Sequence, residues 1–241
     1  MRNLDNYSQA YQELPFEHTL ADFRRKLVLE RIIYHAPGAC LEVGCADEPI
    51  FLHTNPKIAI TTIEPAFTFF QCAEKQAETF QNVKVINECV EDFVSSEDYD
   101  FIIVSGVLHE VLDPTAVLAS LKKLAQPETM IHINVPNASS LHRQLAKAMG
   151  LIESVFEVSE TQQMMQQQQR PFDMLSLTKL VETNGFKVSE TGGYFVKPFT
   201  HAQMEFVREM GVLNADMLEG LFHLGTQIPA LASEIWLECR L

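Results

Sequence analysis

Two short apolar runs, each ending in an acidic residue, restrict the fold of this chain more than any other feature. Residues 41–44 read Leu-Glu-Val-Gly, so a glycine follows closely on the first acid. Residues 60–64 read Ile-Thr-Thr-Ile-Glu, which places a second acid twenty positions after Gly44. In a βαβ unit that binds a nucleoside, the loop after the first strand holds the ligand, and an acid about 20 residues further on takes the ribose hydroxyls. The spacing therefore predicts such a unit, with Glu64 as the ribose-binding carboxylate.

The glycines of the first loop indicate which nucleoside fits. A dinucleotide site needs Gly-x-Gly-x-x-Gly, so that the backbone can approach a pyrophosphate and a helix can begin close behind it. The corresponding positions here are Gly44, Ala46 and Pro49, and only the first is glycine. This argues against a nicotinamide oxidoreductase. Ala46 is a mild departure from glycine if its φ is negative and a serious one if its φ is positive.

Segments typical of strands and of helices alternate up to Pro136. Apolar runs predict five strands, at residues 39–43, 58–63, 83–86, 99–105 and 130–135. Helical spacing of apolar residues predicts helices at residues 19–35, 66–80 and 114–125. Alternation of this kind is typical of a parallel sheet with helices on both faces. The sequence therefore predicts the α/β class, with a Rossmann-like, doubly wound sheet.

The pattern changes after Pro136. Residues 139–171 are rich in Gln, Met and Ser, and form either a solvated connection or a cap over the ligand site, because they follow a central strand. Further on we predict a helix at 175–182 that ends at Asn184 and Gly185, strands at 186–188 and 194–196 with a bend at Gly192 and Gly193, a mostly helical stretch at 202–223, and a last strand at 234–240. We expect one domain over residues 1–241, with an N-terminal helical segment at 1–36 and the cap as an insertion.

Composition excludes several classes of partner. With 241 residues, 46% of them hydrophobic, the chain can bury a substantial core. Its net charge of −14 repels phosphate backbones, which disfavours a nucleic-acid substrate. The polar start is unlike a signal peptide, and no apolar run approaches the roughly 20 residues that span a bilayer. The five cysteines are odd in number and form no Cys-x-x-Cys pair, so we expect reduced thiols and a cytoplasmic protein without membrane or nucleic-acid partners.

With the alternating pattern established, the loop at Glu42, Gly44 and Ala46 resembles motif I of the class I S-adenosylmethionine-dependent methyltransferases. Residues 99–114 resemble the strand-four motif of this family, and residues 134–137, Asn-Val-Pro-Asn, resemble its strand-five turn. The resemblance covers roughly residues 10–241. It implies a seven-stranded, mostly parallel sheet with an antiparallel last strand and a helical cap, and S-adenosyl-L-methionine as the cofactor.

The resemblance also implies which residues bind the cofactor. Glu64 would take the ribose hydroxyls, the loop at Val90 and Glu91 would bracket the adenine, and Tyr11 would fold over the cofactor. Arg24 or its neighbour Arg25 would hold the methionine carboxylate, unless both are solvated helix charges. The full set of predicted cofactor residues is Tyr11, Arg24, Glu42, Gly44, Ala46, Glu64, Val90, Glu91, Ser105 and Gly106.

Methyl transfer in this family requires the protein to hold an acceptor and to remove its proton where needed. His109, four residues after the fourth strand, is the first candidate for the general base, because the pKa of imidazole is about 6.5. It could instead pack or contact the cofactor. His142 is the second candidate, whereas His132 is assigned to the core. The Cys and His residues have no zinc spacing and no His-Glu-x-x-His motif, so no metal site is expected.

These observations favour one function and leave several alternatives open. We expect a small-molecule methyltransferase that most plausibly modifies a hydroxyl of a sugar-like or secondary-metabolite acceptor. N-methylation, a protein acceptor, and a non-catalytic nucleoside-binding module with the same fold are the alternatives. The sequence leaves the acceptor and the oligomeric state open.

Overall fold

The computed structural model describes residues 14–158 and 170–241. Within these ranges the strands are β1 Ala39–Val43, β2 Ala59–Ile63, β3 Val83–Ile86, β4 Phe101–Ser105, β5 Met130–Pro136, β6 Lys187–Tyr194 and β7 Glu234–Arg240. The α-helices are α1 Glu17–His35, α2 Phe67–Ala77, α3 Pro114–Leu124, α4 Leu141–Ala148, α5 Met174–Thr183, α6 His201–Glu209 and α7 Ala215–Gln227. Two 3-10 turns cover Ile50–Leu52 and Pro229–Leu231.

The seven strands form a sheet in the order β3-β2-β1-β4-β5-β7-β6. β1 pairs in parallel with β2 and β4, and β4 pairs in parallel with β5. β7 is antiparallel to both β5 and β6. This confirms the predicted Rossmann-like α/β fold with its antiparallel last strand. The strand order reverses between β1 and β4, and ligands of open α/β sheets bind at such a switch point, beyond the carboxyl ends of the strands.

Successive residues of the central strands enter different layers of the core. In β4, Phe101 and Ile103 pack with α1, whereas Ile102 and Val104 pack with α3 and α5. A strand covered on both faces needs apolar residues at consecutive positions rather than at every second one. Coverage of the sheet on both faces therefore explains the near-continuous apolar runs in the sequence.

Two helix boundaries have the capping residues that the sequence predicts. The side chain of Asp113 accepts hydrogen bonds from the backbone N–H groups of Thr115 and Ala116, at 2.9 and 3.3 Å, and Pro114 occupies the first turn of α3. α5 ends before Gly185, whose φ of +89° stops the helix. Both predictions are confirmed.

The predicted bend at the paired glycines is wrong. β6 runs without a break through Gly192 and Gly193. Gly192 lies opposite Trp236 of β7, and a Cβ at this glycine would stand 2.6 Å from the indole ring. The glycine therefore makes room for Trp236 instead of turning the chain. The helical stretch predicted beyond it is divided into α6 and α7.

Candidate functional site

A cavity of about 950 Å³ opens at the switch point of the sheet. Residues that follow β1, β2 and β4 line one part of it, which we call the loop part. Residues from α4, α6, the start of β7 and the segment between β6 and α6 line another, which we call the side-chain part. α1 contributes lining residues as well. The cavity thus joins the loops predicted to hold the cofactor with residues of the segment predicted to be the cap.

Gly44 permits the tight turn that leaves β1. Its φ is +75°, and its N–H donates to the carbonyl of Ile63 at 2.8 Å. A Cβ at this position would lie 3.1 Å from a methyl group of Val107. Both the backbone conformation and the close approach of Val107 therefore favour glycine here.

Ala46 has a positive φ, which makes its departure from the glycine of the motif the serious one. Its φ is +51°, in the left-handed region, which costs a residue with a Cβ about 1–2 kcal/mol. Its N–H donates to the Glu64 carboxylate at 3.2 Å, which helps to hold this conformation. The loop has the turn of the motif without the glycine that would relieve the strain.

Glu64 is fixed at the end of β2 by main-chain donors. One carboxylate oxygen accepts from the N–H groups of Cys45 and Ala46, at 2.9 and 3.2 Å, and the other accepts from Ala66 at 2.9 Å. Burial raises the pKa of Glu64, although these hydrogen bonds oppose the rise. The side chain lines the cavity in a fixed orientation, as the predicted ribose contact requires.

Glu42, the fourth residue of β1, bonds to the chain on both sides of the same loop region. Its carboxyl oxygens accept from the Ile50 N–H and from the Thr62 hydroxyl, each at 2.9 Å. Burial raises the pKa of Glu42 to about 7, against the effect of both hydrogen bonds. Glu42 therefore joins the start of the 3-10 turn at Ile50 to β2 and shapes the wall of the cavity.

The other predicted cofactor residues within the described ranges also line the cavity. They are Val90, Glu91, Ser105 and Gly106. The N–H of Gly106 donates to the carbonyl of Asn134 at 2.9 Å, and its φ is +72°. Tyr11 lies outside the described residues.

Arg24 lines the cavity, but its guanidinium is already bound to two carboxylates. Nε donates to Glu234 at 3.0 Å, Nη2 also contacts Glu234, and Nη1 lies 3.2 Å from Glu17. The guanidinium of Arg24 is therefore already engaged, and its contact to the methionine carboxylate stays a prediction. Arg25, the alternative, binds Asp22 at 3.0 Å and Glu48 at 2.8 Å, and both of these carboxylates are exposed.

The two candidate bases lie on the cavity in different surroundings. His109 is buried, and its Nε2 lies 3.5 Å from the Glu110 carboxylate. His142 Nδ1 lies 3.1 Å from the Ser140 hydroxyl. Burial, together with Lys197, His201 and Arg143, lowers the pKa of His142 to about 2. His142 is therefore neutral at any physiological pH and is a weak proton acceptor.

His132 belongs to the core, as predicted. It is fully buried, its ring stacks between Phe101 and Trp236, and its Nδ1 lies 3.4 Å from Glu238. Glu238 also binds Arg31 at 2.6 Å and His35 at 2.8 Å. None of these four charged or polar residues lines the cavity.

Lys197 and His201 also line the cavity, and the sequence analysis did not select them. Lys197 is 1% exposed, and its Nζ lies 2.9 Å from Nδ1 of His201. Burial lowers the pKa of Lys197 to about 7, although Glu17 and Glu234 oppose the shift. The one signal in the sequence is a lone lysine in the apolar run Tyr-Phe-Val-Lys-Pro-Phe at residues 194–199.

Among the residues that the structure describes, no group of three or more His, Cys, Asp or Glu side chains could hold a metal ion. No helix in the same ranges is long and apolar enough to cross a membrane.

The fold is similar to those of several solved structures, which include methyltransferases and a cyclase. The plantazolicin methyltransferase BpumL in complex with S-adenosylhomocysteine is 16% identical, with a TM-score of 0.59 over 98% of this chain and 94% of that one. The N-methyltransferase NodS from Bradyrhizobium japonicum WM9, also in complex with S-adenosylhomocysteine, is 12% identical, with a TM-score of 0.55 over 98% of each chain. The [4+2]-cyclase SpnF is 14% identical, with a TM-score of 0.59 over 90% of this chain and 78% of that one.

The family of the chain is identified from its sequence. None of the curated proteins compared with the chain matches it. A family model described as a methyltransferase domain matches residues 14–191, which is most of the chain. Together with the switch-point cavity and the loops that line it, this match establishes that the chain belongs to the methyltransferase domain family and is a class I S-adenosylmethionine-dependent methyltransferase.

Proposed function

We propose that the enzyme methylates a hydroxyl group of a small molecule, of sugar-like or secondary-metabolite type. The observation that carries the proposal is the composition of the cavity. Its loop part has a fixed carboxylate and backbone turns for a nucleoside, and its side-chain part has the buried amine of Lys197 beside His201. A hydroxyl must lose its proton during methylation, so an acceptor of this kind needs a base beside it.

The residues of the loop part fit the cofactor. Glu64 would accept hydrogen bonds from the ribose hydroxyls, and the loop at Val90 and Glu91 would border the adenine. Gly44 and Gly106 each lie in a turn on the cavity, at the carboxyl ends of β1 and β4. Because neither has a side chain, the methionine end of the cofactor could approach the main chain there. Arg24 or Arg25 would hold the carboxylate. S-adenosylmethionine supplies a methyl group on a sulfonium, whose carbon–sulfur bond breaks with the electron pair left on sulfur.

The acceptor would lie between the loop part and the side-chain part. Asn137 and Ser233 line the cavity there, and the Asn137 amide is bonded to the carbonyls of Ala230 and Ala232, at 3.2 and 2.9 Å. The amide is held by the main chain, so we assign it to shaping the wall rather than to the chemistry. His109, on the cavity beside Glu110, remains a candidate contact to the acceptor or to the cofactor. The net charge of −14 supports a small acceptor over a nucleic acid.

N-methylation is the second candidate. Carboxylates on the cavity, such as Glu110, would attract an amine, and an amine with a free electron pair needs no strong base. Two of the fold relatives are N-methyltransferases, NodS and the 1,6-didemethyltoxoflavin-N1-methyltransferase from Burkholderia thailandensis, the second at 13% identity and a TM-score of 0.55. The test must therefore determine whether the enzyme transfers the methyl group to an oxygen or to a nitrogen atom of the acceptor.

Calorimetry and a paired acceptor panel test the proposal. We expect S-adenosylhomocysteine to bind and NAD not to bind. Each hydroxyl compound of the panel is matched by its amino analogue, and mass spectrometry detects the methylated product. Methylation of hydroxyls over their amino partners supports the proposal, whereas exclusive methylation of the amines overturns it. Binding of S-adenosylhomocysteine without methylation of any acceptor would support the non-catalytic nucleoside-binding module.

A further inference from the structure

Lys197 is an unusual side chain to find on this cavity. It follows β6 by three residues, is 1% exposed, and lines the same space as the predicted cofactor loops. A lysine is rarely buried so completely without a carboxylate partner at hydrogen-bond distance. The titratable groups that face it come from four other elements, and they are Glu17 of α1, Glu234 of β7, His142 and Arg143 of α4, and His201 of α6.

The nearest polar partner of Lys197 is an imidazole. Nζ lies 2.9 Å from Nδ1 of His201 and 3.3 Å from Nε2 of the same ring. An ammonium and an imidazolium both lack an electron pair to accept a hydrogen bond. Nζ is almost equally far from both ring nitrogens and so lies against the face of the ring. Two positive charges this close in a buried site repel each other, so the contact favours a state in which at least one of the two groups is neutral.

The carboxylates near Lys197 are already engaged by another cation. Arg24 binds Glu17 through Nη1 and Glu234 through Nε and Nη2. Arg143, which directs its guanidinium to the carbonyls of Val155 and Glu157, adds a positive charge on the other side. Burial and the charge of Arg143 favour a neutral amine at Lys197, and they outweigh Glu17 and Glu234, which favour an ammonium.

His201 links this amine to Glu17. The Nε2 atom of His201 lies 3.5 Å from a carboxylate oxygen of Glu17, on the side of α1. Burial raises the pKa of Glu17, but Arg24 and the hydrogen bond to His201 outweigh it and hold the value at about 2. An ionised Glu17 favours an orientation of the His201 ring with Nε2 towards α1, and the ring packs against Nζ of Lys197. A base held by a neighbour that is itself held by a carboxylate is the arrangement that activates catalytic groups.

We propose that Lys197 is the group that accepts the proton of the acceptor hydroxyl, with His201 and Glu17 as positioning residues; the inference rests on the proposed hydroxyl acceptor. As the acceptor oxygen bonds to the methyl carbon, the O–H proton passes to the electron pair of the neutral Nζ and leaves an ammonium. The ammonium then returns the proton to solvent through the open cavity. His142 cannot replace Lys197 in this step, because its pKa of about 2 gives it little affinity for a proton.

Lys197→Met tests the catalytic assignment, because methionine has a similar length and no proton acceptor. We expect kcat with a hydroxyl acceptor to fall by about 100-fold or more, the range for loss of a general base, with affinity for S-adenosylhomocysteine within about twofold of wild type. Lys26→Met is the matched control, since Lys26 binds Glu219 away from the cavity and its loss should leave kcat unchanged. An unchanged kcat in Lys197→Met overturns the inference and leaves the proposed function intact.

His201→Leu and His201→Gln together test the positioning assignment. Leucine has no polar atom to offer Nζ, whereas the glutamine amide has, so we expect kcat to fall severalfold in His201→Leu and to return towards the wild-type value in His201→Gln. Affinity for S-adenosylhomocysteine should be unchanged in both. Equal losses of kcat in the two variants would show a merely structural role and contradict the assignment.

A stability measurement keeps the inference testable if the acceptor is not a hydroxyl. A lysine that is neutral when folded binds fewer protons than in the unfolded chain, so wild-type stability should rise between about pH 7 and the usual lysine value of 10.5. Lys197→Met should lack this rise in melting temperature. If the two proteins show the same pH dependence, Lys197 is charged in the fold and the inference fails. If only amines are methylated while the rise is present, the proposed function fails and the neutral state of Lys197 stands.

Discussion

Buried acids in the loop part of the cavity bond largely to main-chain groups, whereas those in the side-chain part bond to other side chains. Glu64 accepts three backbone N–H bonds, and Glu42 accepts one backbone bond and one hydroxyl bond. Glu234, in contrast, accepts from Arg24, from the Tyr194 hydroxyl and from the amide of Asn134. The two parts of one cavity are therefore stabilised in different ways.

The difference determines how each part responds to a substitution. Backbone donors remain after any side chain is changed, so a loss in the loop part stays local. In the cluster of Arg24, Glu17 and Glu234 the charges neutralise one another, so removal of one leaves a buried charge without its partner. Four substitutions measure this contrast, in order of decreasing expected effect.

The largest effect is expected from Arg24→Met. The substitution leaves Glu17 and Glu234 buried without their common cation, which should destabilise the fold by about 3–5 kcal/mol. Arg25→Met is the control, because its partners Asp22 and Glu48 are exposed, and it should cost at most about 1 kcal/mol. Urea denaturation measures both. Equal losses in the two variants would show that burial of the carboxylate partners does not determine the cost.

Glu42→Gln should stabilise the protein at alkaline pH. Burial raises the pKa of Glu42 from 4.5 to about 7, so the stability it contributes below pH 4.5 is lost as the pH rises through 7. Glutamine avoids the buried charge, and a shift of about 2.5 units at about 1.4 kcal/mol per unit gives an expected gain of about 3–4 kcal/mol at pH 8. The gain should disappear near pH 4.5 in denaturation series at both pH values.

Glu238→Gln serves as a control of opposite sign. Burial raises the pKa of Glu238, but hydrogen bonds from His132, Arg31 and His35 outweigh it and hold the value at about 2. The stability it contributes is present above pH 4.5 and is lost as the pH falls towards 2. The variant should therefore be less stable than wild type at pH 8. A gain at pH 8 in both variants would show that the effect is not specific to Glu42.

Glu64→Ala should weaken binding of S-adenosylhomocysteine by about 1.5–3 kcal/mol, the range for a hydrogen bond to a charged group. The backbone donors of the loop would remain in place, so the fold should persist. Glu97→Ala is the control, because Glu97 pairs with Lys84 outside the cavity. Calorimetry with both variants gives the comparison, and unchanged affinity in Glu64→Ala would remove this residue from the ribose site.

The smallest effect is expected from Ala46→Gly. Glycine relieves the left-handed conformation, but it also gives the unfolded chain more freedom, so the net gain in stability should be about 0.5–1 kcal/mol. Ala36→Gly is a matched control, since Ala36 has φ +47° at the end of α1 and lies off the cavity. Both should raise the melting temperature, and only Ala46→Gly should change affinity for S-adenosylhomocysteine. An affinity change in Ala36→Gly as well would point to a global effect.

The sequence alone predicts those elements whose structure depends on residues close by in the chain. β1, β3 and β7 begin and end at the predicted residues, because an apolar run bounded by turns depends on local pattern. The acids Glu42 and Glu64 were recognisable for the same reason, since each stands at the end of a predicted strand. The glycine pair in β6 was misread because its function depends on the register with β7, which brings Trp236 opposite Gly192.

The partners of the charged side chains could not be predicted from the sequence. Arg24 and Glu234 are 210 positions apart, and nothing near either residue specifies the other. Lys197 and His201 are only four residues apart, yet the chain between them includes a proline and enters α6, so their contact depends on the local backbone path. The position of His109 on the cavity followed from its place after β4, whereas the burial that weakens His142 as a base depends on the fold around it.

The close fit of Trp236 against Gly192 provides an optical probe. Trp236 is the single tryptophan of the chain, and its ring lies 5.7 Å from His132 and 4.9 Å from the guanidinium of Arg31. Tryptophan emission from this protein therefore originates at one position, between β5, β6 and α1. It lies outside the cavity lining, so a change in emission would report opening of this edge of the sheet rather than arrival of the cofactor.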